Sequence, residues 1–237
     1  MGGRAAVRLT VTRGSRGRKD ASHWCSVTSQ PPSARVVLLS GPSGSGKSSL
    51  ATRTGLPVLN LDDFYKEGGD ATLPQLPDGG GADWDSPLSW DADAAVAAIE
   101  ELCRASRTTV PLYDIATSAR VGEEALDIGR APLFIAEGIF AADIVGRCAD
   151  LGVLADAICL RGRPSTTFRR RLLRDLREGR KPALYLLRRG WRLMRAERGI
   201  VARQTALGAY ACGKDVALGR IAAAGERILA PGQKASV

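Results

Sequence analysis

Histidine is all but missing from this 237-residue chain: the only one is His23. Beyond the first few dozen residues histidine can be neither general base nor metal ligand, so acid–base and metal chemistry must fall to carboxylates, hydroxyls and lysine. Long apolar runs are missing as well, and none approaches the ~18 residues needed to cross a bilayer. The five cysteines, Cys25, Cys103, Cys148, Cys159 and Cys212, are scattered, odd in number and form no CxxC pair. That spacing argues against a disulfide framework or a zinc site and fits reduced thiols, so a cytoplasmic location is expected.

Charge is present but unevenly placed. Of the formal net charge of +9, residues 1–35 carry +6 and residues 161–198 carry +11, which leaves −8 on the remainder. The basic character therefore belongs to one tail and one internal segment. The tail, residues 1–33, is rich in Arg, Ser and Gly and lacks the apolar core of a secretory signal. It is expected to be a disordered extension, with an organelle transit segment or an upstream start codon as alternatives. Pro31, Pro32 and Ser33 mark its end, and residues 34–237 are long enough for one domain with a well-buried core.

That domain opens with RVVLLS, a short β-branched apolar run that reads as a buried parallel strand. GPSGSGKSSL follows at once. Gly41, Gly44, Gly46, Lys47 and Ser48 fill every fixed position of G-x-x-x-x-G-K-[ST], directly after a strand and opening a helix. Such a loop turns backbone N–H groups inward on phosphate oxygens while the helix presents its positive end to the same anion. The expected nucleotide-binding residues are Gly41, Ser43, Gly44, Ser45, Gly46, Lys47, Ser48 and Ser49, with ATP and Mg²⁺ as cofactors, Lys47 on the β- and γ-phosphates and Ser48 on the metal. Gly55 and Pro57 close the helix early.

Further apolar runs at VLNL (58–61), PLFIAEG (132–138) and DAICL (156–160), with a helical pattern starting near Asp91, predict strands alternating with helices. The expected class is α/β, a doubly wound parallel sheet of P-loop NTPase type with helices on both faces. Residues 78–87 read as loop, residues 110–120 as a small extended excursion, and residues 166–181 as a basic helix stopped by Pro182. Residues 184–197 read as a further helix. Past Gly199 the pattern blurs: KDVALGRIAA fits strand or helix, and no fifth strand stands out.

Two of these runs end in acids. Asp62 and Asp63 close VLNL, and Glu137 closes PLFIAE. Ligands of a doubly wound sheet sit outside the carboxyl ends of the strands, so the three acids should crowd the phosphate grip. A neighbouring Mg²⁺ would keep such carboxylates ionised, and one of them could take the proton of an attacking hydroxyl. Alternatively, Asp62 or Asp63 caps a turn, and Glu137 is a surface acid beside a glycine. Trp84 and Trp90 either stack on a flat ring or simply pack.

GPSGSGKSS, DDFY, DWDSP, VPLYD, AEGIF and RRRLLRD occur in the order seen in the uridine kinase and phosphoribulokinase group of P-loop kinases, over roughly residues 35–181. The chain resembles that group. The resemblance implies an arginine-rich helical lid at about residues 161–182 and a helical C-terminal part at 183–237. It implies Asp62 as catalytic base and magnesium neighbour, Glu137 as the second magnesium-linked acid, and Ser48 as the third metal-side group. It implies Asp85 on ribose hydroxyls, Tyr65 and Tyr113 beside the acceptor, Arg171 on the ribose side of the lid, and Arg174 with one of Arg177 or Arg180 on the transferred phosphate. Where the group carries a histidine that reads the pyrimidine, this chain has Ser118, and beyond Pro182 it departs from the group.

The expected activity is ATP-dependent phosphoryl transfer to a primary hydroxyl of a small molecule, first the 5′-hydroxyl of a nucleoside. Nicotinamide riboside or another metabolite is the alternative acceptor. From another class, the chain could be an ATP-dependent nucleic-acid-binding protein, gripping phosphates through its arginines. Against that stands the lack of basic–aromatic interleaving; a guanine-reading N-K-x-D motif is also missing. Neither a membrane nor a nucleic acid is the expected partner.

Overall fold

The computed structural model describes residues 31–77, 79–162 and 197–230. The expected tail (1–33, save its last three residues), the arginine-rich lid beyond residue 162 with Arg171 and Arg174, the further helix at 184–197 save its last residue, and the last residues of the expected C-terminal part lie outside them. The described residues belong to one compact unit that starts at Pro31, three residues before the expected domain.

Its centre is the strand β1 (Arg35–Ser40), buried in all but its first residue. β1 pairs in parallel with β5 (Leu133–Glu137) on one side and β6 (Leu154–Leu160) on the other. Beyond β5 lies β2 (Val58–Asn60), and beyond β6 lies β7 (Tyr210–Cys212), giving the parallel order β2-β5-β1-β6-β7. Alternate residues of each strand point to opposite faces. Val36, Leu38, Phe134 and Ala136 therefore join one apolar cluster with helix α2 (Ala92–Ala105) and helix α3 (Val145–Asp150). Val37, Leu39, Leu133 and Ile135 join the other, against helix α1 (Lys47–Thr54) and helix α4 (Lys214–Leu229). Near-continuous apolar strands are what a sheet covered on both faces requires.

The elements end where their residues dictate. Gly55 caps α1 in the left-handed conformation, φ 69°, returning its N–H to the Thr52 carbonyl at 3.3 Å. Asp91 caps α2, its carboxylate accepting from the Ala94 amide at 2.9 Å. The extended excursion expected at 110–120 is the middle of a longer antiparallel hairpin, β3 (Arg107–Asp114) with β4 (Ala119–Asp127).

The region past Gly199 resolves one ambiguity and supplies a missing strand. KDVALGRIAA is helical, and Ala217, Ile221 and Ala224 form the buried stripe at spacings of four and three. The fifth strand is the three-residue YAC, too short to give a period in sequence.

Asp91→Ala is expected to lower unfolding stability by about 1 kcal/mol through loss of this cap; urea denaturation with an unchanged m-value checks it.

Candidate active site

The loop between β1 and α1 is shaped by glycines that no other residue could replace without movement. Gly41 has φ 141°, and a Cβ there would stand 2.4 Å from the Leu160 carbonyl oxygen of β6. Gly44 and Gly46 are also left-handed, at φ 79° and 95°. Gly46 is the N-cap of α1 and offers no side chain to its amides, and the first turn of α1 holds no acid. An anion is the natural partner of such an end. Ser45 strengthens that reading: it is buried, and its Oγ lacks a hydrogen-bond partner among the described residues. A buried hydroxyl is costly unless satisfied, and a phosphate oxygen would satisfy it. Lys47, 7 % exposed, donates its Nζ to the Gly41 carbonyl at 3.0 Å, which holds the ammonium over the mouth of the loop. Ser43 lines the loop half-buried, while Ser48 and Ser49 are exposed in the first turn of α1.

The acids arrive from the neighbouring strands. Glu137, the last residue of β5, sits in register between Leu39 of β1 and Asn60 of β2. It is buried, so desolvation pushes its carboxyl up from the usual range; the Ser48 hydroxyl and the Lys47 charge oppose that shift, and Asp62 and Asp63 add to it. Glu137 is therefore no surface acid. It is the carboxylate that meets Ser48 and Lys47 across the loop.

Asp62 and Asp63 begin a 3₁₀ turn, Leu61–Phe64, and their roles divide there. Asn60, which sequence reasoning passed over, organises both. Its Oδ1 accepts the Asp62 amide at 3.2 Å and its Nδ2 donates to the Asp63 carboxylate at 2.8 Å. Asp63 also accepts the Tyr113 backbone N–H, and burial is the largest cause of its raised pKa. It fastens the turn to the β3–β4 hairpin. Asp62 is turned the other way: a Cβ at Gly138 would meet its Oδ1 at 3.2 Å and Leu61 Cβ at 2.8 Å. The glycine after Glu137 is what lets the two acids approach.

Above the acids lies an aromatic group. Tyr65 packs on Trp84, Tyr113 and Phe140 with ring centroids 5.9, 5.9 and 6.0 Å away. Trp90 is buried and stacks on Phe140, so its role is packing, while Trp84 meets Tyr65 edge-on and stays half-buried. The Tyr113 hydroxyl donates to the Lys66 carbonyl at 3.0 Å, and burial raises its pKa against a hydrogen bond from Ser118. Ser118 itself is left-handed, φ 53°, and its carbonyl accepts the Gly68 amide at 2.7 Å. Tyr113 and Ser118 thus clasp the hairpin onto the 66–68 loop. Asp85 is exposed in the neighbouring loop, its amide bonded to the Asp83 carboxylate at 3.2 Å.

Among the described residues no cluster of three His, Cys, Asp or Glu forms a metal cage. Mg²⁺ needs none, since it keeps its waters and takes one or two carboxylates with substrate phosphates. Ser48, Glu137 and Asp62 are hard oxygen donors of that kind, beside a phosphate-shaped loop.

Among the proteins similar to this chain are three curated relatives and one solved structure. Inorganic pyrophosphatase TTM2 of Arabidopsis thaliana is 28 % identical over 123 residues, 49 % of this chain and 17 % of that protein. A uridine kinase of Schizosaccharomyces pombe is 32 % identical over 163 residues, 63 % of this chain and 34 % of that protein. A uridine kinase of Ureaplasma urealyticum is 26 % identical over 60 % of this chain and 70 % of its own length. The chain is similar to the uridine kinase-like P-loop kinases. It spans only about a sixth of the first of these relatives and a third of the second. No protein-family model matches it. In fold it is similar to a proposed fructose transport system kinase from Silicibacter sp. TM1040, with a TM-score of 0.50 at 21 % identity over 79 % of this chain and 90 % of that one. No helix among the described residues is long and apolar enough to cross a membrane.

Because the Glu137 carboxyl is held above the ordinary 4.5, the folded state binds the extra proton between that value and its raised one. Stability is thus lost as pH rises through that window, and at neutral pH the penalty is fully in place. Glu137→Gln is expected to raise the neutral-pH melting temperature of the ligand-free protein and to flatten its acid-side pH profile, while weakening Mg²⁺-dependent nucleotide binding; calorimetric scans with and without Mg-ATP check both signs.

Proposed function

We propose that the protein transfers the γ-phosphoryl group of Mg-ATP to a primary hydroxyl of a small molecule, with the 5′-hydroxyl of a nucleoside as the first acceptor to test. One observation carries the reading: the Asp62 carboxylate, the Glu137 carboxylate and the Ser48 hydroxyl converge on a phosphate-shaped loop whose buried Ser45 Oγ has no partner among the described residues. The two uridine kinase relatives support it, and the similar solved structure supports the fold.

On this reading the loop amides from Gly41 to Ser48 and the Lys47 ammonium hold the phosphates and spread the charge that develops on transfer. Ser48, Asp62 and Glu137 would hold Mg²⁺, which when bound neutralises the β- and γ-phosphates. The acceptor hydroxyl oxygen attacks the γ-phosphorus, the bond to the β-phosphate oxygen breaks to release ADP, and the hydroxyl proton passes to the Asp62 carboxylate. Asp63, tied to Asn60 and Tyr113, keeps the turn still and takes no proton. Asp85 and the Tyr65 ring face the acceptor side, and Arg171 and Arg174, outside the described residues, are assigned to the closing side by resemblance alone.

Nicotinamide riboside and other metabolites are tested in the same assay. Ser118, spent on Tyr113 and Gly68, leaves no histidine-like reader of a pyrimidine edge, so the acceptor panel must be broad.

Asp62→Asn is expected to bind Mg-ATP with near wild-type affinity yet lose turnover by ~10²-fold or more, as for a general base. ADP release with nucleosides, nicotinamide riboside and sugar phosphates measures it, and near-normal turnover in this variant would remove Asp62 from the role.

A further inference from the structure

Gln204 lies in the described helical stretch 197–206, away from every motif the sequence singles out, and is 2 % exposed. A buried amide must use both of its polar ends, and this one does. Its Nε2 donates to the Ile139 carbonyl at 2.9 Å, and its Oε1 accepts the Cys159 Sγ–H at 3.1 Å. One partner lies in the turn that leaves β5 and the other on β6, and both adjoin the residues of the phosphate site. Ile139 follows Gly138, the glycine pressed against Asp62, and is two residues from Glu137. Cys159 is the β6 residue paired with Ser40, the residue before Gly41.

Cys159 is more than a neighbour of the loop. Burial pushes its thiol up to about 11, so it keeps the proton it donates to Gln204; the Ser40 hydroxyl bonds to it, and the Lys47 charge reaches it. Ser40 also donates to the Ile158 carbonyl at 3.2 Å. Beside Gln204, Arg203 is ion-paired with Asp143, which fixes the same helical stretch to the segment after β5.

We propose that Gln204 is a positioning residue of the phosphate site: one buried side chain ties the turn leaving β5, just past Glu137 and Gly138, to Cys159 of β6, whose β1 neighbour Ser40 leads into the glycine loop. This rests on the phosphoryl-transfer reading above. Gly41 and Gly138 leave no slack at either end, since a single added carbon at each would collide with Leu160 or Leu61. A spacing error there moves the Lys47 loop and the acids relative to each other. Apolar replacement of Gln204 orphans the Ile139 carbonyl and the Cys159 thiol at once, and both must shift to find new partners.

The test compares Gln204→Met, which loses both bonds, with Gln204→Glu, which keeps the acceptor for Cys159 and sets a carboxylate oxygen against the Ile139 carbonyl. Leu102→Ala, in the core under α2, serves as a control destabilised without contact to the site. Mg-ATP affinity is read on the full chain with a fluorescent ATP analogue, beside thermal melts, kcat, and KM for ATP and for acceptor. The expected result is a loss of about tenfold or more in Mg-ATP affinity or kcat in both Gln204 variants, in keeping with misplaced reacting groups, with acceptor KM held within about twofold and Leu102→Ala binding ATP normally. Gln204 variants that melt earlier but bind Mg-ATP and turn over as the wild type does would overturn the proposal and leave Gln204 a satisfied core residue. A wild-type protein that binds Mg-ATP but phosphorylates no acceptor would count against the transfer reading, while the affinity comparison would still decide the role of Gln204.

Discussion

The site depends on how closely the carboxyl ends of parallel strands can be drawn together. At Gly41 the chain leaving β1 passes so near the Leu160 carbonyl that a Cβ would sit 2.4 Å from it, and at Gly138 the chain leaving β5 presses on Leu61 and Asp62. Strands in a sheet lie ~4.8 Å apart, so side chains on their final residues would normally hold the outgoing loops at a distance. Removing the Cβ at two such exits lets an ammonium, a hydroxyl and two carboxylates share one small volume. The apolar faces of β1 and β5, packed by helices on both sides, resist the splaying that this crowding of charge would otherwise cause.

The crowding has an electrostatic cost, and the pair Asp62–Asp63 shows how it is distributed. Asp63 is raised by burial too, but directed hydrogen bonds from Asn60 and from the Tyr113 amide offset part of that cost and spend its charge on structure. Glu137 gains a hydroxyl and a lysine but loses most of its water, and burial dominates. The acids repel one another, and the first turn of α1 holds no acid to face its positive end. On the proposed reading Mg²⁺ and phosphate would supply charges of both signs, so the arrangement that costs stability by itself would favour binding.

Much of this was legible in sequence because it is written in short, contiguous spacings. The glycine loop, the strand before it, the short helix closed by Gly55 and the acids at the strand ends could be read directly, and the sheet places them together as expected for its class. The interactions that set distances were not legible. Asn60 carried a faint signal, a polar residue capping a turn between a strand and two acids. Gly138 read as a turn residue rather than as the permit for a close approach. Gln204 gave no signal, since its partners are 65 and 45 residues away in sequence. The strand Tyr210–Cys212 escaped because three residues cannot display a period of two.

The same distinction separates the donor side of the site from the acceptor side. On the proposed reading phosphate is held by backbone at the ends of a sheet, where register fixes every position: Glu137 lies between Leu39 and Asn60. The acceptor side is assembled from the 65–90 loops and a hairpin outside that sheet. The two are stitched to each other by Tyr113 to the Lys66 carbonyl, Ser118 to Gly68, and Tyr65 to the Trp84 carbonyl at 3.4 Å. Side chains that could read an acceptor are thereby partly consumed in holding their own loops. On the proposed reading specificity would rest on what the clasped loops leave uncovered, a property of their relative placement, whereas the chemistry of transfer would rest on a sheet whose placement is fixed by its own hydrogen bonds.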